Sequence, residues 1–252
     1  MRPTRHHRRH SALAVPALLL VIAAGATACG DDSSGDDADD TRDRSSGDTS
    51  GTLSADQVEQ AVLSLDNLGE GWKEEDVDDD EDDDEDGPGC FGEISKVTED
   101  LDPVEKAEKK YGYGDQGLPQ VNTKVSTFDD ADTVAGLFDE VEKTAEGCTD
   151  ITYSEDGFDY DLDVRTLTDL DLDDIDDQFS LTASGTITSG DDSGKMYLYY
   201  TMVRVGPTVA SIATTGLQDV NTEQQQVVKV GAARLVAVAA GEEPEATTIP
   251  AP

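Results

Sequence analysis

Histidine is scarce in this 252-residue chain, since all three histidines lie within the first ten residues, at positions 6, 7 and 10. A Ser-His-Asp or Cys-His nucleophile system uses the imidazole as its base, and many zinc and iron sites use it as a ligand. If the N-terminus is removed during export, the remaining chain has no histidine. The sequence then excludes these catalytic and metal-binding classes.

Positive charge and aromatic residues are also scarce. The chain has 18 lysines and arginines against 57 acids, a formal charge of −39. Such a protein repels nucleic acid phosphates, so nucleic-acid binding is excluded. Paired carboxylates can serve a glycosidase, but aromatics make up only 5% of the chain, too few to wall a sugar site. No Gly-rich phosphate loop, CxxC or catalytic serine motif is present.

The N-terminus has the pattern of a secretory signal. Four arginines and no acid occur in its first ten residues, and an apolar run of about 17 residues follows to Ala28. That run is at the lower limit for spanning a bilayer. We predict a signal peptide over residues 1–28 and export by ordinary secretion. The pair Arg8-Arg9 leaves the twin-arginine route open.

The segment Ala26-Thr27-Ala28-Cys29-Gly30 resembles the lipobox of bacterial lipoproteins. The resemblance implies a diacylglycerol on the Cys29 thiol and cleavage just before it. Two acyl chains anchor a protein stably, so we expect a lipid-anchored protein on the extracytoplasmic face of the cell membrane. Ordinary cleavage after Ala28, which leaves a free thiol, is the alternative. Because four arginines leave with the signal, the formal charge falls from −39 to −43.

With Cys29 assigned to lipid, Cys90 and Cys148 remain. An even pair of cysteines in an exported chain predicts a disulfide, with two free thiols as the alternative. We predict no cofactor and no metal ligands.

The composition divides the exported chain into a domain and two polar ends. Residues 29–52 have too few apolar side chains to fold and predict a disordered tether, and residues 241–252 predict a disordered tail. A single domain is expected over 53–240. Within it, residues 74–89 predict an acidic disordered loop.

Periodicity predicts the elements of this domain. Ser54 and Gln57 form a capping box for a first helix with an inner stripe of Val58, Ala61, Val62 and Leu65. Trp72 is expected in the core after a turn. The later elements are a helix over 98–110, a strand over 121–127, a helix capped by Asp129 or Asp130 and ending at Cys148, strands over 179–188, 195–205 and 208–215, and a helix over 222–240.

This order predicts the α+β class: a single domain with an antiparallel β-sheet and two to four helices packed on one face. The last three strands are expected to form a meander. Tyr197 and Tyr199 fall on one face of their strand and Tyr200 on the other. These tyrosines either pack the sheet, the preferred interpretation, or line a ligand pocket.

Two acidic stretches invite a metal-binding interpretation. Asp82, Asp84, Asp86, Gly87 and Glu93 match the EF-hand spacing, but a run so rich in aspartate matches almost automatically, and a solvated loop is preferred. The stretch 169–177 is interpreted as an acid-rich turn or edge strand with Leu170, Leu172 and Ile175 facing inward.

Several motifs together resemble the PknH-like extracellular sensor domain of actinobacterial lipoproteins and kinase ectodomains. They are the helix entering Leu68-Gly69-Glu70-Gly71-Trp72, a Cys in the loop that follows, the Phe128-led helix ending at Cys148, and the strand–turn–strand Val203-Arg204-Val205-Gly206-Pro207-Thr208-Val209. The resemblance implies a sheet with helices packed around a cleft, a ligand-sensing role and no catalytic residues.

Three functions follow as hypotheses. The first is a non-enzymatic lipoprotein that binds or senses a small ligand or an envelope protein. The second is a carrier of lipid or glycolipid, which needs a hydrophobic cavity of several hundred Å³. The third is a carboxylate-dependent hydrolase.

The lipid anchor gives the first testable prediction. Replacing Cys29 with alanine removes the acylated thiol, so Cys29→Ala should release the protein into the medium. Immunoblots of medium and membrane fractions measure the distribution, with Cys90→Ala as the matched control. Retention of the Cys29 variant on the membrane contradicts the assignment.

Overall fold

The computed structural model describes residues 51–77, 90–99, 101–155 and 157–252. Its centre is one eight-stranded sheet in the order β1-β2-β3-β8-β7-β6-β5-β4, in which every neighbouring pair is antiparallel. The strands are β1 (Trp72–Glu75), β2 (Glu105–Tyr113), β3 (Gln120–Thr127), β4 (Asp150–Glu155), β5 (Phe158–Thr166), β6 (Asp177–Ser189), β7 (Asp192–Val205) and β8 (Thr208–Gly216). The predicted α+β class and the β6–β8 meander are confirmed.

The helices lie on both faces of this sheet, and the expectation of one covered face is wrong. They are α1 (Ala55–Ala61), α2 (Leu65–Leu68), α3 (Cys90–Glu99), α4 (Ala131–Ala145) and α5 (Asn221–Ala239). Helices α3 and α4 pack on one face, called the α3/α4 face. Helices α1 and α5 pack on the other, the α1/α5 face.

The central strands β7 and β8 explain why two covers are needed. In β7, Leu198 and Met202 are buried on the α3/α4 face and Val203 on the α1/α5 face. Strand β8 repeats this with Val209 on the first face and Ile212 on the second. Successive side chains of a strand point to opposite faces, and a strand that is apolar on both sides must be covered on both.

The first helix begins as predicted and ends earlier. The reciprocal Ser54–Gln57 capping box starts α1. Val62 has extended backbone angles, so the chain leaves the helix there, and Leu65 begins α2 with 38% of its surface exposed. Leu65 is therefore not part of the inner stripe. Trp72 is buried as expected, but as the first residue of strand β1.

The predicted helix over 98–110 is wrong. Helix α3 ends at Glu99, and residues 105–113 form strand β2 between β1 and β3. Pro103 disfavours helical angles in the residue before it. Ala107 and Tyr111 are buried on the α1/α5 face. Pairing with two strands and this burial outweigh the helix propensity of the lysines and glutamates.

Strands β4 and β5 were not predicted, although their pattern has period two. Tyr160, Leu162 and Val164 are buried on the α3/α4 face, while Asp159, Asp161 and Asp163 alternate with them and are exposed. Aspartate is rare in strands because it packs poorly on a sheet. Here the opposite face is solvated, and that cost is small.

The C-terminal segment is ordered against the domain, which corrects the predicted disordered tail over 241–252. Ile249 is 4% exposed within the apolar cluster that contains Leu68 and Trp72. Its backbone N–H donates to the Asn67 carbonyl at 2.7 Å, and the Asn67 amide donates to the Thr247 carbonyl at 3.0 Å. The folded domain therefore extends to at least Ile249.

This contact gives a stability prediction. Ile249→Ala removes a buried side chain from the domain edge and should lower the free energy of unfolding by about 2 kcal/mol, the low end for such truncations. Urea denaturation followed by Trp72 fluorescence measures it. Leu217→Ala, at a side chain that is 39% exposed, is the control and should change little. Equal stability of the two variants contradicts the ordered tail.

Candidate functional site

A cleft opens on the α3/α4 face, between the two helices and the strands β2, β3, β8 and β7. Helix α4 contacts β6 and β8, and α3 packs beside α4. The helices thus cover the half of this face that contains β6 and β8. The cleft lies at the edge of this cover, next to the half formed by β2 and β3.

The inner part of the cleft is apolar. Its helix-side wall comes from α3, the segment after it and the start of α4, and its floor from β7 and β8. The apolar residues lining it are Phe91, Ile94, Leu101, Pro103, Phe128, Leu137, Leu198, Met202, Val209 and Ala213. Apolar ligand surface would lose water here, which is the main source of affinity in most small-molecule sites.

The outer part is polar and is supplied mainly by β2 and β3. Glu108, Asn122, Lys124 and Ser126 line it, and the Asn122 amide donates to the Glu108 carboxylate at 2.9 Å. Glu108 and Lys124 are direct cross-strand partners. The cleft therefore runs from an apolar end under the helices to a charged end on the open sheet.

Tyr200 lies on the floor and carries a polar group into the apolar part. Its hydroxyl donates to Ser211 Oγ at 3.3 Å. Burial raises the pKa of Tyr200 to about 12, although the Ser211 hydrogen bond opposes this. The phenol stays neutral at physiological pH, so it can exchange hydrogen bonds with a ligand but adds no charge. Of the three tyrosines singled out in the sequence, Tyr200 is the one that lines the cleft, and it also packs in the core on this face of the sheet.

The cleft is small and offers little for catalysis. Its volume is about 70 Å³, which holds a few water-sized groups. Among the described residues that line it, Glu108 provides the one carboxylate. Elsewhere in the described ranges, no three His, Cys, Asp or Glu side chains converge as a metal site, and no helix has the length and apolarity to cross a membrane.

The walls are held by a disulfide and a helix cap. Cys90 and Cys148 form a disulfide pair with their Cα atoms 5.6 Å apart. Cys90 is the first residue of α3, not a loop residue as expected. It is thereby tied to the chain just after α4. At the other end of α4, the hydroxyl and backbone N–H of Thr133 hold the pKa of the Asp130 carboxyl below its usual value.

The other residues singled out in the sequence lie elsewhere. Cys29 and the EF-hand positions 82, 84, 86 and 87 fall outside the described residues, while Glu93 lies in α3. The acidic loop predicted over 74–89 starts too early, because Glu74 and Glu75 belong to β1. Leu170, Leu172 and Ile175 do face inward, against the α1/α5-side core.

Tyr197 and Tyr199 stand away from the cleft, on the α1/α5 side of β7. The Tyr199 hydroxyl donates to Asp219 at 2.8 Å. Burial, followed by this hydrogen bond to a carboxylate, raises the pKa of Tyr199 to about 12. Its role is to fix the turn before α5.

The polar residues of the cleft were missed because their signal is ambiguous. Asn122, Lys124 and Ser126 alternate with Val121, Thr123 and Val125, the usual pattern of a strand with one solvated face. Only the tertiary arrangement turns that face into the mouth of a cleft.

Two solved structures are similar to this chain. The extracellular domain of PknH from Mycobacterium tuberculosis has 11% identity and a TM-score of 0.42, with 77% of this chain and 100% of that domain covered. An uncharacterized protein from Mycobacterium smegmatis, an Rv0999 ortholog, has 13% identity and a TM-score of 0.31, with 71% and 83% covered. No family model and no curated protein match the chain.

The disulfide gives the prediction for this site. The double variant Cys90→Ser/Cys148→Ser frees α3 from α4 and should lower the free energy of unfolding by roughly 4 kcal/mol in the chain-entropy model. Urea denaturation with and without reductant measures it. Reductant should destabilise the wild type and leave the double variant unchanged. A wild type insensitive to reductant at every urea concentration contradicts the pairing.

Proposed function

We propose that this chain is a non-enzymatic, lipid-anchored lipoprotein of the extracytoplasmic membrane face. Its folded domain binds or senses a small, largely apolar ligand in the cleft between α3, α4 and the sheet. The observation that carries the proposal is the cleft itself. A sheet sealed by its helices would leave no place for a small ligand, whereas here apolar side chains of both layers line a space open to solvent.

The polar groups of the cleft support binding more than chemistry. Tyr200 is neutral, and Glu108 is already hydrogen-bonded to Asn122. A glycoside hydrolase needs two carboxylates flanking the bond it cleaves, and a second one is not among the described lining residues. The hydrolase hypothesis therefore has no support in the cleft.

The size of the cleft favours a small ligand over a carried lipid. A lipid carrier needs a cavity of several hundred Å³ to shield its acyl chains, and this cleft measures about 70 Å³. A single ring or a short alkyl group fits such a space. The carrier hypothesis therefore has no support in the cleft.

The expected anchor fits this role. A lipid on Cys29 and a polar tether up to Thr52 would hold the domain beside the membrane, where the cleft samples the envelope. Residues 30–51 as a flexible chain would give the domain a root-mean-square reach of roughly 25 Å. A binding domain on such a tether can bind a soluble ligand. It can also contact an envelope protein that responds to whether the ligand is bound.

Filling the cleft tests the proposal. The wild type should bind benzyl alcohol, a neutral probe with a single ring that matches the small cleft. Ala213→Trp places an indole on the cleft floor, where Ala213 is half-buried, and should weaken binding by about tenfold or more, equal to about 1.4 kcal/mol. Titration followed by ligand-observed NMR measures both affinities in the Cys29→Ser background, where no attached lipid competes.

The control is Thr152→Trp, at an exposed position on edge strand β4, which should bind like the wild type. Thr98→Trp fills the same cleft from α3 and checks the result if Ala213→Trp is unstable. A wild type that binds no probe, or a cleft-filled protein that binds as well as the control, refutes a ligand site here.

A further inference from the structure

A pair of neighbouring hydroxyl groups lies on the floor of the cleft. Tyr200 of β7 and Ser211 of β8 both line it, and the Tyr200 hydroxyl donates to Ser211 Oγ at 3.3 Å. Tyr200 is 6% exposed, and Ser211 is half-buried. Along β8, Ser211 lies between Val209 and Ala213, which point to the same face and also line the cleft. Two polar groups are thus held side by side among apolar ones.

The hydrogen bond within this pair leaves part of its bonding capacity unused. A hydroxyl group has one donor hydrogen and two acceptor lone pairs. Tyr200 gives its hydrogen to Ser211, so the Tyr200 oxygen can still accept and the Ser211 hydroxyl can still donate. The bond is also weak, because its length exceeds the usual distance of about 2.7–2.8 Å between two hydroxyl oxygens. The pair therefore offers one donor and one acceptor to a group that enters the cleft.

We infer that the cleft selects a neutral ligand with a hydroxyl group on a single ring or short alkyl group, and that Tyr200 and Ser211 bind this hydroxyl. The inference rests on the proposed function, since it names the polar group of the ligand that this cleft would take. A ligand hydroxyl can donate to Tyr200 and accept from Ser211 through a single oxygen atom. Its apolar part then lies between the floor and the side chains of α3, which include Phe91 and Ile94.

Other polar groups match the pair less well. A carboxylate or an ether oxygen can only accept hydrogen bonds, and an ammonium can only donate them, so none of them uses both positions. A charged group would also lose water, at a much higher cost in free energy than a hydroxyl. Lys124 is the cross-strand neighbour of Ser211, but it faces Glu108 on its other side and has an interaction partner of its own. The hydrogen-bonding capacity of the floor thus favours an alcohol or a phenol.

A matched pair of ligands tests the inference. Benzyl alcohol and toluene share one ring and differ by the hydroxyl group. Tyr200→Phe removes the phenolic oxygen and keeps the ring that packs in the core. We expect this variant to bind benzyl alcohol about fivefold more weakly, the effect of one hydrogen bond, while its affinity for toluene stays the same. Titrations followed by ligand-observed NMR, on the full chain as Cys29→Ser, measure all four dissociation constants.

The control is Tyr197→Phe, which removes the same oxygen from the α1/α5 side of β7 and should bind both ligands like the wild type. If Tyr200→Phe does not fold, nuclear Overhauser contacts in the wild type decide. They should join the methylene group of benzyl alcohol to Ser211, and contacts to β2 and β3 alone contradict the inference.

The outcomes separate this inference from the proposed function. A Tyr200→Phe variant that weakens neither ligand, or both equally, overturns the inference and leaves the proposed function standing. A wild type that binds toluene but not benzyl alcohol does the same. Binding of neither ligand to the wild type overturns both.

Discussion

The burial of β7 and β8 on both faces is the constraint on which the rest of the structure depends. A strand whose two rows of side chains are both apolar cannot stand at a solvated surface. Helices must therefore cover it twice, and α1 and α5 provide one cover while α3 and α4 provide the other. Since the second pair contacts the β6 and β8 region, the sheet beyond it stays open. The cleft is the boundary between these two halves.

The buried polar side chains under α5 have hydrogen-bond partners on the two central strands. Under α5, the Gln224 amide donates to Thr201 Oγ1 and to the Ile212 carbonyl, both at 3.2 Å, and its oxygen accepts from Thr214 at 2.5 Å. A buried amide costs free energy unless its hydrogen bonds are made. Here both ends are satisfied by strands β7 and β8, so the network fixes α5 on the sheet at little cost.

The success of prediction from sequence followed the strength of local signals. The cap at Asp130 and the stripe Val134, Leu137, Phe138, Val141 located α4, and the alternation through β6–β8 located the meander. The prediction for the residues of strand β2 was wrong because lysine and glutamate favour helices. Only the pairing of these residues with β1 and β3 makes them a strand. The prediction of a disordered tail was wrong for a similar reason. Ile249 is one apolar residue in a polar segment, and its burial depends on a site made by α2 and β1.

The candidate site could be predicted only in part, and the reason bears on its function. The cysteines were found from their number, but the polar residues of β3 carry the signal of any half-exposed strand. Burying Glu108 and Lys124 under a helix would cost several kcal/mol unless the pair kept ideal geometry. Their presence on β2 and β3 therefore disfavours a further advance of α3 over the sheet. The residues that keep the cleft open are therefore also the ones that line its polar end.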